Sequence, residues 1–207
     1  MRQLQPLAIT NITPYIVPVP RGIDMVCKSL QRSFDGIEWL EKSFARAVYR
    51  SKTIEGGSEY IYPAVFVEDG YDYLDLMNLD NWKSYSFMLA KDNEKVVDYQ
   101  EEVVNTMSRT LSCVFWMNLE KIDPNRYDDF LEELKQDVVK AIKSTRFLDT
   151  TNNATVYGVN VLNIFDEPDN IFEGFSQDIT ANQSLYYPYK GLRIDLEALY
   201  SEECINQ

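Results

Sequence analysis

The stretch Ser108–Leu119, SRTLSCVFWMNL, alternates with a period of two. Leu111, Cys113, Phe115, Met117 and Leu119 share one face, and Ser108, Thr110, Ser112, Val114, Trp116 and Asn118 share the other. Successive strand side chains point to opposite faces, so this is a strand with one apolar and one mixed face. Immediately after it the period changes. Tyr127, Phe130, Leu131, Leu134, Val138, Ala141 and Ile142 recur at helical spacing and predict an amphipathic helix over 124–145. Asp123 is its expected cap and Pro124 its first residue. Asp128, Asp129, Glu132 and Glu133 then load the first turns and Lys140 and Lys143 the last, as the helix dipole favours.

Further strands and helices flank this pair. Val156–Phe165 (VYGVNVLNIF) reads as a strand, and Ile171–Phe175 as a single helical turn. Gly191–Tyr200 reads as a closing strand, with Leu192, Ile194, Leu196, Ala198 and Tyr200 on one face and Arg193, Asp195 and Glu197 on the other. Upstream, Ile23, Val26, Leu30 and Phe34 predict a helix over 23–35, stopped at Gly36. Strands over 42–49 and 60–67 flank the polar loop SKTIEGGSE and predict a hairpin. Pro63 places the second of them at an edge or a bulge. Asp69-Gly70 signals a turn, and Ser84–Ala90 a further strand. The expected fold is α+β: an antiparallel sheet with two helices on one face, a long hairpin and an extended N-terminal arm.

The arm is residues 1–22, and 23–207 is expected to form a single domain. Residues 1–20 hold eight large apolar side chains (Leu4, Leu7, Ile9, Ile12, Tyr15, Ile16, Val17 and Val19) among Pro6, Pro14, Pro18 and Pro20. Prolines at this density forbid a helix and disfavour a central strand. So apolar a segment is expected to lie against its own domain or a neighbouring subunit.

Composition removes several chemistries. The 207 residues include 20 Lys or Arg and 33 Asp or Glu, a net charge of −13, and no histidine. Histidine triads, bases and metal ligands are therefore impossible. The acidic balance argues against binding nucleic acid through its phosphates. Cys27, Cys113 and Cys204 form no CxxC pair, so neither a zinc knuckle nor a disulfide framework is expected. MRQLQPLAIT lacks the apolar core of a secretion signal, and reduced intracellular thiols are expected. The motifs GxSxG, GxxxxGK[ST] and GxGxxG are absent. Asp69, Asp72 and Asp75 lack the central glycine and terminal glutamate of a calcium loop and read as turn residues. No catalytic, metal or cofactor site is expected. Carboxylate-only catalysis on a sugar would need two carboxylates held close together, and no pair in the sequence has a reason to be close in space.

Tyrosine is concentrated at 49–73 and 186–200, with Tyr186, Tyr187 and Tyr189 around Pro188. Amphipathic aromatics of this kind are common at protein interfaces. The apolar proline-rich arm, the long loops and the absence of catalytic motifs together suggest an assembly component. The blocks SFARAVYR (43–50), EYIYPAVFVEDGYDYLDLMNLDNWKSYSFMLA (59–90) and NQSLYYPYKGLRIDLEALY (182–200) add to this. In them the chain resembles neck and tail-completion proteins of tailed bacteriophages, the tail terminators and connector rings, in particular those of crAss-like phages. The resemblance spans roughly 37–200 and brings no catalytic residue.

It implies a virion structural protein, assembled in the host cytoplasm, that forms a homo-oligomeric ring of six- or twelve-fold symmetry between portal and tail. Its partners would be further copies of itself and the portal or adjacent neck proteins, with no membrane. DNA would pass through the lumen without specific binding, and a carboxylate-rich wall repels phosphate. Tyr15, Ile16, Val17, Val19, Tyr187 and Tyr189 are the expected subunit-interface residues. An acidic adaptor or DNA mimic that binds a basic partner is the alternative from charge alone.

Overall fold

The computed structural model describes residues 12–54, 56–67, 72–77, 81–100, 104–147, 155–176 and 185–203. The elements are α1 (Ile23–Phe34), β1 (Lys42–Thr53), β2 (Glu59–Val67), β3 (Asp72–Asp75), β4 (Ser84–Gln100), β5 (Val104–Asn118), α2 (Leu119–Ile122), α3 (Leu131–Ser144), β6 (Val156–Phe165), α4 (Pro168–Ile171) and β7 (Tyr189–Glu203). They form a mixed α+β domain around a seven-stranded sheet of order β3-β2-β1-β4-β5-β7-β6. The central strand β5 lies between β4 and β7, antiparallel to both, and runs from Val104 opposite Glu203 to Asn118 opposite Tyr189.

The sheet is mostly antiparallel, where the sequence led us to expect it entirely so. β1 runs parallel to β4, with Lys42 opposite Tyr85 and Ala47 opposite Leu89. Its other half pairs antiparallel with β2, from Val48 opposite Ala64 to Thr53 opposite Glu59. The hairpin β2–β3 intervenes between the two, so the chain returns before β4 starts and re-enters the sheet in the same direction as β1. β3 is a strand that periodicity did not reveal, because four residues are too short to show one. Pro63 is on an internal strand, not an edge. It falls one residue outside the β3 ladder, which starts at Ala64, and its carbonyl accepts from the Leu76 amide at 2.9 Å.

Two cores sandwich the sheet. Leu111, Cys113, Phe115 and Met117 of β5 and Leu192, Ile194, Leu196, Ala198 and Tyr200 of β7 pack with Val26, Leu30 and Phe34 of α1 and Leu134, Val138 and Ile142 of α3. Fully burying side chains of this size contributes roughly 1.5–3 kcal/mol each. The mixed face of β5 is buried too. Val114 and Trp116 join Phe44, Val65, Val67, Trp82, Tyr85, Phe87, Ile171, Phe172 and Phe175 in a second core. An aromatic row runs across it, Phe44–Trp82–Tyr85–Trp116–Tyr189, at centroid distances of 5.3–5.9 Å.

The amphipathic helix starts at Leu131, not at Pro124, and Leu119 opens α2 instead of ending the strand. Of the acidic residues expected in its first turns, Glu132 and Glu133 are there, and Asp128 and Asp129 precede the helix. Arg126 holds both Asp128 and Glu133, Lys190 holds Asp129 at 2.7 Å, and the Leu131 amide donates to Asp129 Oδ1 at 3.2 Å. Asp123 ends α2 and accepts from the Asn125 amide at 3.1 Å. Side-chain bonds of this kind compete with helical ones and delay the helix. The expected turn at 171–175 is shifted as well: α4 occupies Pro168–Ile171, with turns after it. The Asp69-Gly70 turn lies outside the described residues.

Candidate interaction site

The described part of the arm, 12–22, lies against its own domain without forming a strand. Ile12 is buried in the second core. Tyr15 meets the Phe66 ring edge-on at 5.4 Å, and its carbonyl accepts from Gln31 Nε2 at 3.5 Å. Lys28 Nζ donates to the Pro18 carbonyl at 3.2 Å. Tyr15 and Val17 line a cavity of about 150 Å³ together with Asp24, Arg46, Phe66 and Tyr73. The remaining two expected anchors point outward: Ile16 is 43% exposed and Val19 60%. Six amino acids of the sequence reading thus divide. Tyr15 and Val17 are engaged within the chain, Ile16 and Val19 are exposed, Tyr187 is exposed, and Tyr189 packs inward against Trp116 with ring centroids 5.4 Å apart.

Tyr187 belongs to a segment fixed from both sides. The Tyr187–Pro188 bond is cis, and the Pro188 carbonyl accepts from the Leu119 amide at 2.8 Å. Behind it, Gly191 permits a close approach. A Cβ there would meet Leu185 Cδ1 at 2.9 Å and Ile171 Cδ1 at 3.0 Å. Tyr186 and Tyr187 are therefore presented on an anchored loop.

Arg193 and Asp195, expected to point away from the core, are buried beneath the 168–176 segment; their side chains are only 6% and 9% exposed. Arg193 donates to both Asp195 oxygens at 2.8 and 2.7 Å, to Glu173 at 2.8 Å and to the Asn170 carbonyl, and sits 4.8 Å from the Phe165 ring centre. Ser112 Oγ donates to Asp195 at 2.6 Å, and Lys91 pairs with Glu173 at 2.8 Å. Burial pushes the Asp195 carboxyl up, but the hydrogen bonds from Arg193 and Ser112 outweigh it and hold the group below its usual range. Lys91 and Arg193 hold Glu173 down to about 2. This network pins α4 and its following turns to β7. Strand periodicity missed it, because the pattern reports which way a side chain points and not what covers it.

The described residues hold no cluster of three or more His, Cys, Asp or Glu able to bind a metal ion. Cys27 and Cys113 are buried free thiols. Burial pushes Cys27 up to about 12 and Cys113 well above its usual range, which removes the reactive thiolate. No described helix is long and apolar enough to cross a membrane.

The sheet's outer edge is the more informative surface. β6 is the terminal strand beyond β7 and has ten residues, none of them charged or proline. Tyr157, Val161, Leu162 and Ile164 are exposed along it. Edge strands are ordinarily protected by charge, proline, brevity or bulges; β6 lacks the first three and has register shifts at Val156/Gly158 and Val161/Asn163. Beside β6, Ile164 and residues of α3 frame a shallow groove of about 480 Å³. No family model matches the chain, and none of the curated proteins compared with it does.

Proposed function

We propose that the chain is a self-assembling structural subunit, a ring component of the head-to-tail neck of a tailed phage particle. Two helices on one face of the sheet, the long hairpin and the arm serve it as a frame for contacts with neighbours. The observation that carries the reading is the uncharged, largely apolar β6 edge. A ten-residue uncharged strand with four exposed apolar side chains is an aggregation hazard in a lone subunit and an asset in an assembly. The exposed arm residues Ile16 and Val19 and the anchored Tyr187 add further apolar surface for neighbours. Such a subunit acts by geometry, with no catalytic step, and its net charge of −13 suits a passage that must not retain DNA.

The test is mass photometry with negative-stain microscopy of the purified chain, and mass spectrometry of the particle whose genome encodes it. Closed rings and a stoichiometric place in the particle are expected. A monomer at every accessible concentration, absent from particles, overturns the reading. Capture of a basic host protein by that monomer, lost at high salt, would instead mark an acidic mimic.

A further inference from the structure

The cavity beneath the arm is the size of one aromatic ring. A cavity of about 150 Å³ with apolar walls takes a benzene-sized group. Phe44 and Val65 are buried at its floor, and Arg46, Val48 and Tyr73 are exposed at its rim. Asp24 and Arg46, paired at 2.9 Å, give its wall one polar spot that suits a phenol hydroxyl.

The rim is basic in an acidic chain. β1 carries Lys42, Arg46, Arg50 and Lys52 and no carboxylate. Val48, Arg50 and Lys52 share one face of the strand, opposite Ala64, Tyr62 and Tyr60 of β2. Asp24 pairs with Arg46, and Asp75 with Lys52. Arg50 lies 4.0 Å from the ring centre of Tyr73 and makes no ion pair among the described residues. Its guanidinium is thus held at the mouth of the cavity with no carboxylate against it.

A matching knob stands on the turn before α3. Tyr127 is 83% exposed, although its spacing groups it with the apolar stripe of the helix. The helix starts only at Leu131 and leaves Tyr127 outside. The turn that carries it is fixed, since Arg126 holds Asp128 and Glu133, and Lys190 holds Asp129. Asp128, Asp129, Glu132 and Glu133 are all more than half exposed. Together with Asp123 they outnumber their cations Arg126, Lys135 and Lys190, so the turn keeps a negative surplus. Tyr127 does not fill the cavity of its own chain. Its turn is tied to β7, three strand spacings or roughly 14 Å across the sheet from β1.

We infer that Tyr127 of one copy enters the cavity between the arm and β1 of the next. Its ring rests on Phe44, Val65 and Phe66, and the neighbouring Asp128 faces Arg50. This inference rests on the self-assembly reading and names one of its contacts. Copies carrying −13 each repel one another in general, so an acidic turn approaches at least cost where four cations stand on one strand. The contact is heterologous, knob to cavity, and repeats from copy to copy into a ring or a filament.

The test uses the full chain in sedimentation velocity, with circular dichroism as the check on folding. Y127A and R50E each alter one exposed side chain, and V48W fills the cavity from its rim. Each is expected to weaken assembly at least about tenfold. Mixing Y127A with V48W should give a dimer and nothing larger, because one intact knob and one intact cavity remain between them. Assembly lost in V48W and R50E but kept in Y127A puts another segment in the cavity and overturns the docking of Tyr127. Oligomers that form equally well in all three variants overturn it too and leave the self-assembly reading standing. A wild-type chain that stays monomeric overturns both.

Discussion

Replacing Arg193 by methionine removes one partner of a buried pair and leaves the other in place. Asp195 would keep the Ser112 hydrogen bond at 2.6 Å but lose both guanidinium contacts at 2.7 and 2.8 Å. The Asn170 carbonyl and the Phe165 ring lose their partner as well. Breaking a buried pair from one side costs about 3–5 kcal/mol, most of it the uncompensated charge left behind. The exposed Glu173 adds little, as surface pairs contribute about 0–1 kcal/mol. With a urea dependence of about 2 kcal/mol per molar, the loss lowers the unfolding midpoint by about 2 M. Tryptophan fluorescence reads it, since Trp39, Trp82 and Trp116 are all buried. The R193M/D195N double variant leaves no buried charge and should be more stable than R193M alone, a coupling that separates charge from packing. The reasoning is refuted if R193M shifts the midpoint by less than about 0.5 M, or if the double variant loses the sum of both single changes.

Acid should loosen the same region. Glu173 falls from its usual 4.5 to about 2 and Asp195 is lowered too, so their stabilisation is full above the unfolded values and lost as pH drops through the folded ones. Thermal melts between pH 5 and 2 should show this loss, and R193M should flatten it. On the arm, I16D/V19D should leave the melting temperature unchanged while impairing assembly in sedimentation. Ile12→Ala should cost about 2–4 kcal/mol in urea unfolding, because its side chain fills the second core. Cys27 and Cys113 should resist a water-soluble thiol reagent in the native chain and react once it is unfolded by urea.

The strands β5 and β7 and the helix α1 were legible because each carries its period over ten or more residues. The start of α3 was not. Pro124 and the acidic run form a sound helix-start pattern, yet Arg126 and Lys190 hold Asp128 and Asp129 in a non-helical turn, and only Glu132 and Glu133 reach the first turn of α3. Lys190 is more than sixty residues away in the chain, so no local pattern could announce it. Of the expected interface residues, exposure separates Ile16, Val19 and Tyr187 from Tyr15, Val17 and Tyr189. Apolar character alone could not make that division, because it is the same for a residue that packs within the chain and one that awaits a neighbour.

By itself the sequence determined the composition-level chemistry and the long elements. It excluded histidine chemistry, set the acidic charge and placed the apolar faces of α1, β5 and β7, because these follow from residue type and from the fixed periods of helix and strand. The tertiary structure decided the parallel pairing of β1 with β4, the burial of Arg193 with Asp195, and the position of β6 at the sheet's edge. Each depends on which distant segment comes to lie alongside. A strand's alternation states which side chains share a face, but the partner that covers a face or an edge is chosen by packing across the whole chain.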